Sequence, residues 1–103
     1  MAKICQVLIS APSKKEGEDI AASLVKKKMI AGALITKGSS IYWWQNKIVK
    51  KVYYNINAFS VLSNKAKIIR EVKKIHTDKC PIIALHEIDG NSEFLAWVME
   101  SIE

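Results

Sequence analysis

Residues 40–49, Ser40-Ile41-Tyr42-Trp43-Trp44-Gln45-Asn46-Lys47-Ile48-Val49, decide the fold. Two apolar runs flank Gln45-Asn46, and asparagine tolerates positive φ, so the segment reads as a tight β-hairpin. Side chains alternate along a strand. Ile41 and Trp43 therefore point to one face and Tyr42 and Trp44 to the other, and on the return Val52 and Tyr54 oppose Tyr53. An antiparallel sheet that shows one face to water carries polar residues there. Large apolar groups on both faces instead predict that the second face is covered, and another copy of the chain is the commonest cover.

Upstream of the hairpin, residues 29–36 (MIAGALIT) form an apolar strand. Gly38, within Lys37-Gly38-Ser39-Ser40, predicts a kink or bulge before strand character resumes at Ile41. Residues 3–11 (KICQVLISA) read as a strand buried on both faces and stopped by Pro12. Ser13-Lys14-Lys15-Glu16 then has the form of a capping box. The helix it opens carries early acids (Glu16, Glu18, Asp19), late lysines (Lys26, Lys27, Lys28) and an apolar stripe of Ile20, Ala21, Leu24 and Val25.

Downstream, the return strand runs to about Leu62, and Ser63 or Asn64 caps a second helix with Ala66, Ile69, Val72 and Ile75 inward. A loop leads through Cys80-Pro81 to a fourth strand, Ile82 to about Ile88. Asp89-Gly90-Asn91 turns the chain into a last helix bearing Phe94, Leu95, Trp97, Val98, Met99 and Ile102. The order β-α-β-β-α-β-α predicts an α+β fold: a ferredoxin-like βαββαβ sandwich on a four-stranded antiparallel sheet, with an extra C-terminal helix.

The chain has 103 residues, which supports one domain over 1–103. Half are hydrophobic and 25% are charged, which excludes disordered and collagen-like classes. No apolar run reaches the roughly 18 residues of a membrane span. The N-terminus reads as a strand rather than a leader, which points to the cytoplasm. Basic residues number 16 against 10 acidic, a net charge of +6, but only Arg70 is arginine. Residues 80–103 hold five acids (Glu87, Asp89, Glu93, Glu100, Glu103) and no base, so the two ends are set to pair within or between chains. Sheets of this topology can stack RNA bases on aromatics. The third strand, KKVYYNINAFSVL, lacks the glycine-flanked aromatic motif that such a site needs, and nucleic acid is disfavoured as a partner.

No nucleophile or phosphate-loop motif is present, so no enzyme is indicated and there are no catalytic candidates. The three tryptophans read as packing anchors. Cys5 and Cys80 share no metal-type spacing and sit in apolar runs, as reduced buried thiols do. The possible metal ligands are Cys5, Cys80, His76 and His86. Cys80 and His86 would stand about 20 Å apart along a strand. His76 and Cys80 are close enough to converge across their loop, but two ligands do not make a closed site.

The order of several blocks is similar to that of the CutA-type divalent-cation tolerance proteins. The blocks are Ser10-Ala11-Pro12, Met29-Ile30-Ala31-Gly32, Ser40-Ile41-Tyr42-Trp43-Trp44, Lys47-Ile48, His76, Pro81, Ile83-Ala84-Leu85, Gly90-Asn91 and Leu95-x-Trp97. The resemblance implies a homotrimer whose hairpins cross subunit boundaries, with Ile41, Tyr42, Trp43, Trp44, Ile48, Tyr54 and Trp97 at the interface. It implies a non-enzymatic role in tolerance of copper or another divalent metal, for which His76 and Cys80 are the candidate ligands, and a large trimer interface predicts thermostability. It also raises a pocket for a small anionic ligand at Tyr42, Trp44, Lys47 and His76, as in a trimeric sensor of the nitrogen-regulatory P-II type. Three departures bear on metal chemistry: Gly32 replaces a family cysteine, Lys79 stands where glutamate is expected, and Ile82 follows Pro81 in place of an acid. These changes remove ligands and add a repelling charge.

Overall fold

Pro12 has no amide hydrogen to donate to a ladder, and it closes β1 (Ile4–Ala11) at its last residue. The computed structural model describes residues 2–102, so Glu103 of the C-terminal acids lies outside the described residues. After β1 come α1 (Lys14–Lys26), β2 (Gly32–Trp44), β3 (Lys47–Val61), a 3-10 turn (Leu62–Asn64), α2 (Lys65–Ile75), β4 (Ile83–Glu87) and α3 (Ser92–Ser101). The strands form one antiparallel sheet in the order β2-β3-β1-β4. This is the expected ferredoxin-like arrangement with its extra helix.

The hairpin turn is made by Gln45 and Asn46, both at positive φ (50° and 63°). Its two-residue loop with left-handed φ at both positions matches the twist of the strands. Above it the ladder runs unbroken from Trp44↔Lys47 to Gly32↔Phe59. Gly38 pairs with Tyr53 inside this ladder, so the expected bulge is absent, and the glycine does not take positive φ. The strand also starts at Gly32 rather than Met29, because Lys28 (φ 56°) turns the chain and the Met29 and Ile30 amides bond back to Leu24 O.

One sheet face, carrying Cys5, Val7, Ile9, Ile56 and Ala58, packs on Ile20 and Leu24 of α1 and Ile68 and Val72 of α2. The inward stripe of α2 is thus Ile68, Val72 and Ile75, while Ala66 is exposed and Ile69 half-buried. The apolar period was right and its phase was off by one residue at the start. Helix α3 crosses to the other face. There Val98 joins Ile4 and Val61, and Phe94 meets Phe59 edge-on with ring centroids 5.1 Å apart. Trp97 lies over Gly32, where an added Cβ would come within 2.9 Å of the indole. The indole fills the space that a side chain at position 32 would occupy.

The capping box is half made. Glu16 N–H donates to Ser13 Oγ at 3.1 Å, but the Glu16 carboxylate turns away to the loop after α2. Between the helices, buried Glu71 accepts from Ser23 Oγ–H at 2.6 Å and from Lys27 Nζ at 2.8 Å, with Lys74 Nζ at 3.6 Å. Across the charge divide, Lys3–Glu87 at 4.0 Å is the ion pair that joins the basic body to the acidic end among the described residues.

Beyond the helices, β2 and β3 run on as an arm, and the molecule measures 43 × 24 × 21 Å. Its radius of gyration is 14.0 Å, against about 12.8 Å for a compact chain of this length. It exposes 6716 Å², where a compact monomer of this mass shows roughly 5,800 Å².

Lys27 and the Ser23 hydroxyl pull the Glu71 carboxyl from 4.5 down to about 2. Its folded-state pKa is depressed, so its contribution is complete above the ordinary carboxyl value and is lost as acid protonates it. The difference in urea midpoint between the native protein and Glu71→Gln is therefore expected to hold steady from pH 7 down to the ordinary carboxyl value of 4.5 and to close on the way to about 2. A difference independent of pH across that window would refute the assignment.

Candidate functional site

The site is built where the arm meets the loop between α2 and β4. Register places Tyr42, Trp44, Val49, Lys51 and Tyr53 on the same face of the arm. The loop approaches that face, and Tyr53 O–H donates to Asp78 Oδ2 at 2.9 Å. Tyr42 stands edge-on to Tyr53, with centroids 6.0 Å apart. The pKa of the Tyr53 phenol is pushed up, first by its hydrogen bond with Tyr42, then by burial and by the Asp78 carboxylate. It therefore remains a donor at neutral pH.

Local sequence holds the loop in place from behind. The His76 side chain is 1% exposed. Its Nε2–H donates to Ser10 O at 2.5 Å, and Nδ1 accepts from Asp78 N–H at 3.1 Å. Glu16 Oε2 lies 3.4 Å from Nδ1 and also accepts the Thr77 amide at 3.2 Å, while Oε1 accepts the Thr77 hydroxyl at 2.8 Å. At the far end Ile82 N–H donates to Ser10 Oγ at 3.2 Å. Helix α1, strand β1 and the arm thus each grip the loop.

Between loop and arm is an open cleft of about 500 Å³, walled by Tyr42, Trp44, Lys51, Tyr53, Lys79 and Cys80 among others. A smaller cavity of about 350 Å³ adjoins it, sharing Tyr42, Trp44, Tyr53, Asp78 and Cys80 and reaching Ser10 and Asn55. The first size falls in the range of small-molecule sites.

Of the residues expected to line a pocket, Tyr42 and Trp44 do so. Lys47 sits by the turn, outside the cleft wall, and Lys51 takes the place expected for it. His76 lies behind the cleft with both ring nitrogens engaged, so its role here is to position the loop. Cys80 is exposed at the cleft, not buried, because Ile83 begins the strand three residues later. Cys5 is buried in the core, and burial raises its thiol pKa. His86 is exposed on β4 opposite Gln6. Among the described residues no three His, Cys, Asp or Glu side chains gather into a metal-holding group.

Of the residues expected at an interface, Ile41, Trp43 and Ile48 are exposed on the arm's helix-side face, Trp43 by 72%. Tyr54 packs against the core instead, and Trp97 is half-exposed over Gly32. Tyr53 and Asp78 were not anticipated. Lys51 could have been, since it repeats Lys47 at an even spacing on one strand face. Asp78 sits in a loop, where no periodicity marks it.

The profile of the CutA1 divalent ion tolerance proteins matches residues 5–101. The divalent-cation tolerance protein CutA of Archaeoglobus fulgidus is 34% identical over 98 residues, covering 94% of this chain and 96% of that protein. The protein of the same name from Thermus thermophilus is 33% identical over 97 residues, covering 92% and 94%. The solved structure described as the periplasmic divalent cation tolerance protein CutA of A. fulgidus superposes with a TM-score of 0.93 at 33% identity, covering 97% of this chain and 99% of that one. The T. thermophilus structure gives 0.92 at 29% identity, with the same coverage.

Removing the loop's fastenings should show in stability. His76→Ala leaves Ser10 O and Asp78 N–H without partners in a buried place and is expected to cost about 1–3 kcal/mol in urea unfolding. Tyr53→Phe, which deletes one hydrogen bond at the cleft, is expected to cost about 0.5–1.5 kcal/mol. Equal, negligible effects of both would contradict the fastened loop.

Proposed function

The chain belongs to the CutA1 divalent ion tolerance protein family, and on that premise we propose that it works as a non-enzymatic homotrimer in divalent-cation tolerance. The observation that carries the assembly is the arm. Ile41, Trp43, Ile48 and Val52 leave large apolar side chains exposed on one face beyond the helices, with Lys50 the charged residue among them. The outer edge of β2 also has no strand neighbour among the described residues. Water is a poor cover for such a face, and a symmetric set of copies buries it without leaving new edges. Association of this kind links folding to protomer concentration and raises the melting temperature.

The cation is copper or another divalent metal, held by ligands from more than one copy. Cys80 is the soft ligand that faces solvent, and family membership supports a metal role while the loop geometry argues for Cys80 over His76. The reduced exposed thiol also fits a cytoplasmic setting.

Sedimentation velocity is expected to give a species of three times the 11.6 kDa protomer, and Trp43→Lys to shift it towards monomer. A native protein that sediments as a monomer at micromolar concentration would sink the trimer. For the metal, calorimetric titration with Zn²⁺ or Cu(I) is expected to weaken at least tenfold in Cys80→Ser, about 1.4 kcal/mol, and to persist in folded His76→Ala. Unchanged affinity in Cys80→Ser removes that thiol from the metal site.

A further inference from the structure

We infer that the cleft between the arm and the loop is a binding site for a planar aromatic ring carrying an anionic group, a phosphate or a carboxylate. This rests on other residues than the cation reading, although Cys80, the ligand proposed for the metal, borders the same cleft.

Three features of the cleft set the ligand's chemistry. First, its walls are aromatic on one side. Tyr42 and Trp44 alternate with residues of the opposite face, so both rings are presented towards the loop, and Trp44 remains 39% exposed. A half-exposed indole over a concave space is a stacking surface for a flat ring. Second, the charge is positive. Lys51 comes from β3 and Lys79 from the loop, so lysines line the cleft on both of its walls. The one carboxylate there, Asp78, already accepts the Tyr53 hydroxyl. A net positive mouth favours an anion. Third, the site is assembled before any ligand arrives. The loop is tied to β1 through His76 and Ile82, to α1 through Thr77 and to the arm through Asp78. Little ordering remains to oppose binding.

A ring alone would leave the lysines without a partner, and a bare phosphate would leave the aromatic wall wet. The combination satisfies both. Gln45 at the turn adds an amide that can donate to or accept from ring heteroatoms.

The test is calorimetric titration of the full-length assembled protein with two probes, adenosine monophosphate and indole-3-acetate. Adenosine and inorganic phosphate serve as half-ligands. Saturable binding of at least one probe is expected, with each half-ligand at least tenfold weaker. The phosphate and carboxylate sources are told apart by which probe binds. Lys51→Gln with Lys79→Gln, both at exposed positions, should weaken the binding probe about tenfold. Trp44→Leu should do so independently. No saturable binding of either probe would overturn the proposal. So would affinity unchanged in the double lysine variant, or in Trp44→Leu, shown to be folded by circular dichroism. A protein that sediments as a monomer yet binds the probe separates this site from the trimer reading.

Discussion

Everything distinctive about this chain depends on a mismatch in strand length. The β2–β3 ladder is unbroken over the 13 residues of β2. Strand β1 accompanies β3 only as far as Ala11↔Tyr54, because Pro12 ends its capacity to donate. Residues 47–53 of β3 therefore have a partner on one side only. A two-stranded ribbon standing alone in water is marginal at best. The arm must be supported on its faces, and its two faces are supported differently.

On one face the support comes from within the chain. The loop after α2 reaches Tyr53 through Asp78 and is held in turn by Ser10 and Glu16. His76 is the keystone. Its two nitrogens serve neighbours on opposite sides, Nε2 meeting Ser10 O and Nδ1 meeting Asp78 N–H. A histidine so placed cannot also coordinate a metal without losing one of those bonds. On the opposite face no further element arrives among the described residues, and Trp43 is the most exposed large apolar side chain among them. The internal support creates the cleft, and the missing support leaves the apolar side chains of the other face uncovered.

Much of the fold was legible from short-range rules. Gln45-Asn46 between apolar runs specified the turn, Pro12 the end of β1, and Ser13 the start of α1. Alternation assigned Ile41, Trp43, Tyr42 and Trp44 to their faces correctly. The errors share one cause, which is that tertiary contacts override local signals. Gly38 looked like a break, yet a strand with a full ladder partner tolerates a glycine. Glu16 looked like a reciprocal cap, yet its carboxylate found Thr77. Ser63 or Asn64 was expected to cap α2; Asn64 does stand at the N-cap, yet its side chain donates to Met29 O rather than capping a helix amide. The cleft was half legible. Its aromatic wall follows from strand alternation, whereas Asp78 and Lys79 enter it from a loop whose path no pattern encodes, and Cys80 emerged exposed for the same reason.

Charge constrains how such a molecule can deal with cations. The chain carries +6, and Lys51 and Lys79 both border the cleft next to Cys80. Over the roughly 8 Å of a physiological Debye length these ammonium groups repel a free divalent ion. Attraction by field is therefore not available as the means of capture, and oxygen ligands are scarce there, since the Asp78 carboxylate is already committed to Tyr53. What remains is bonding to a soft ligand, where a sulfur ligand's affinity for the metal outweighs unfavourable electrostatics. The same positive border that disfavours a hard cation favours an anion. A protein of this charge pattern is thus better suited to respond to soft metals and anionic ligands than to collect hard divalent ions such as Ca²⁺ or Mg²⁺.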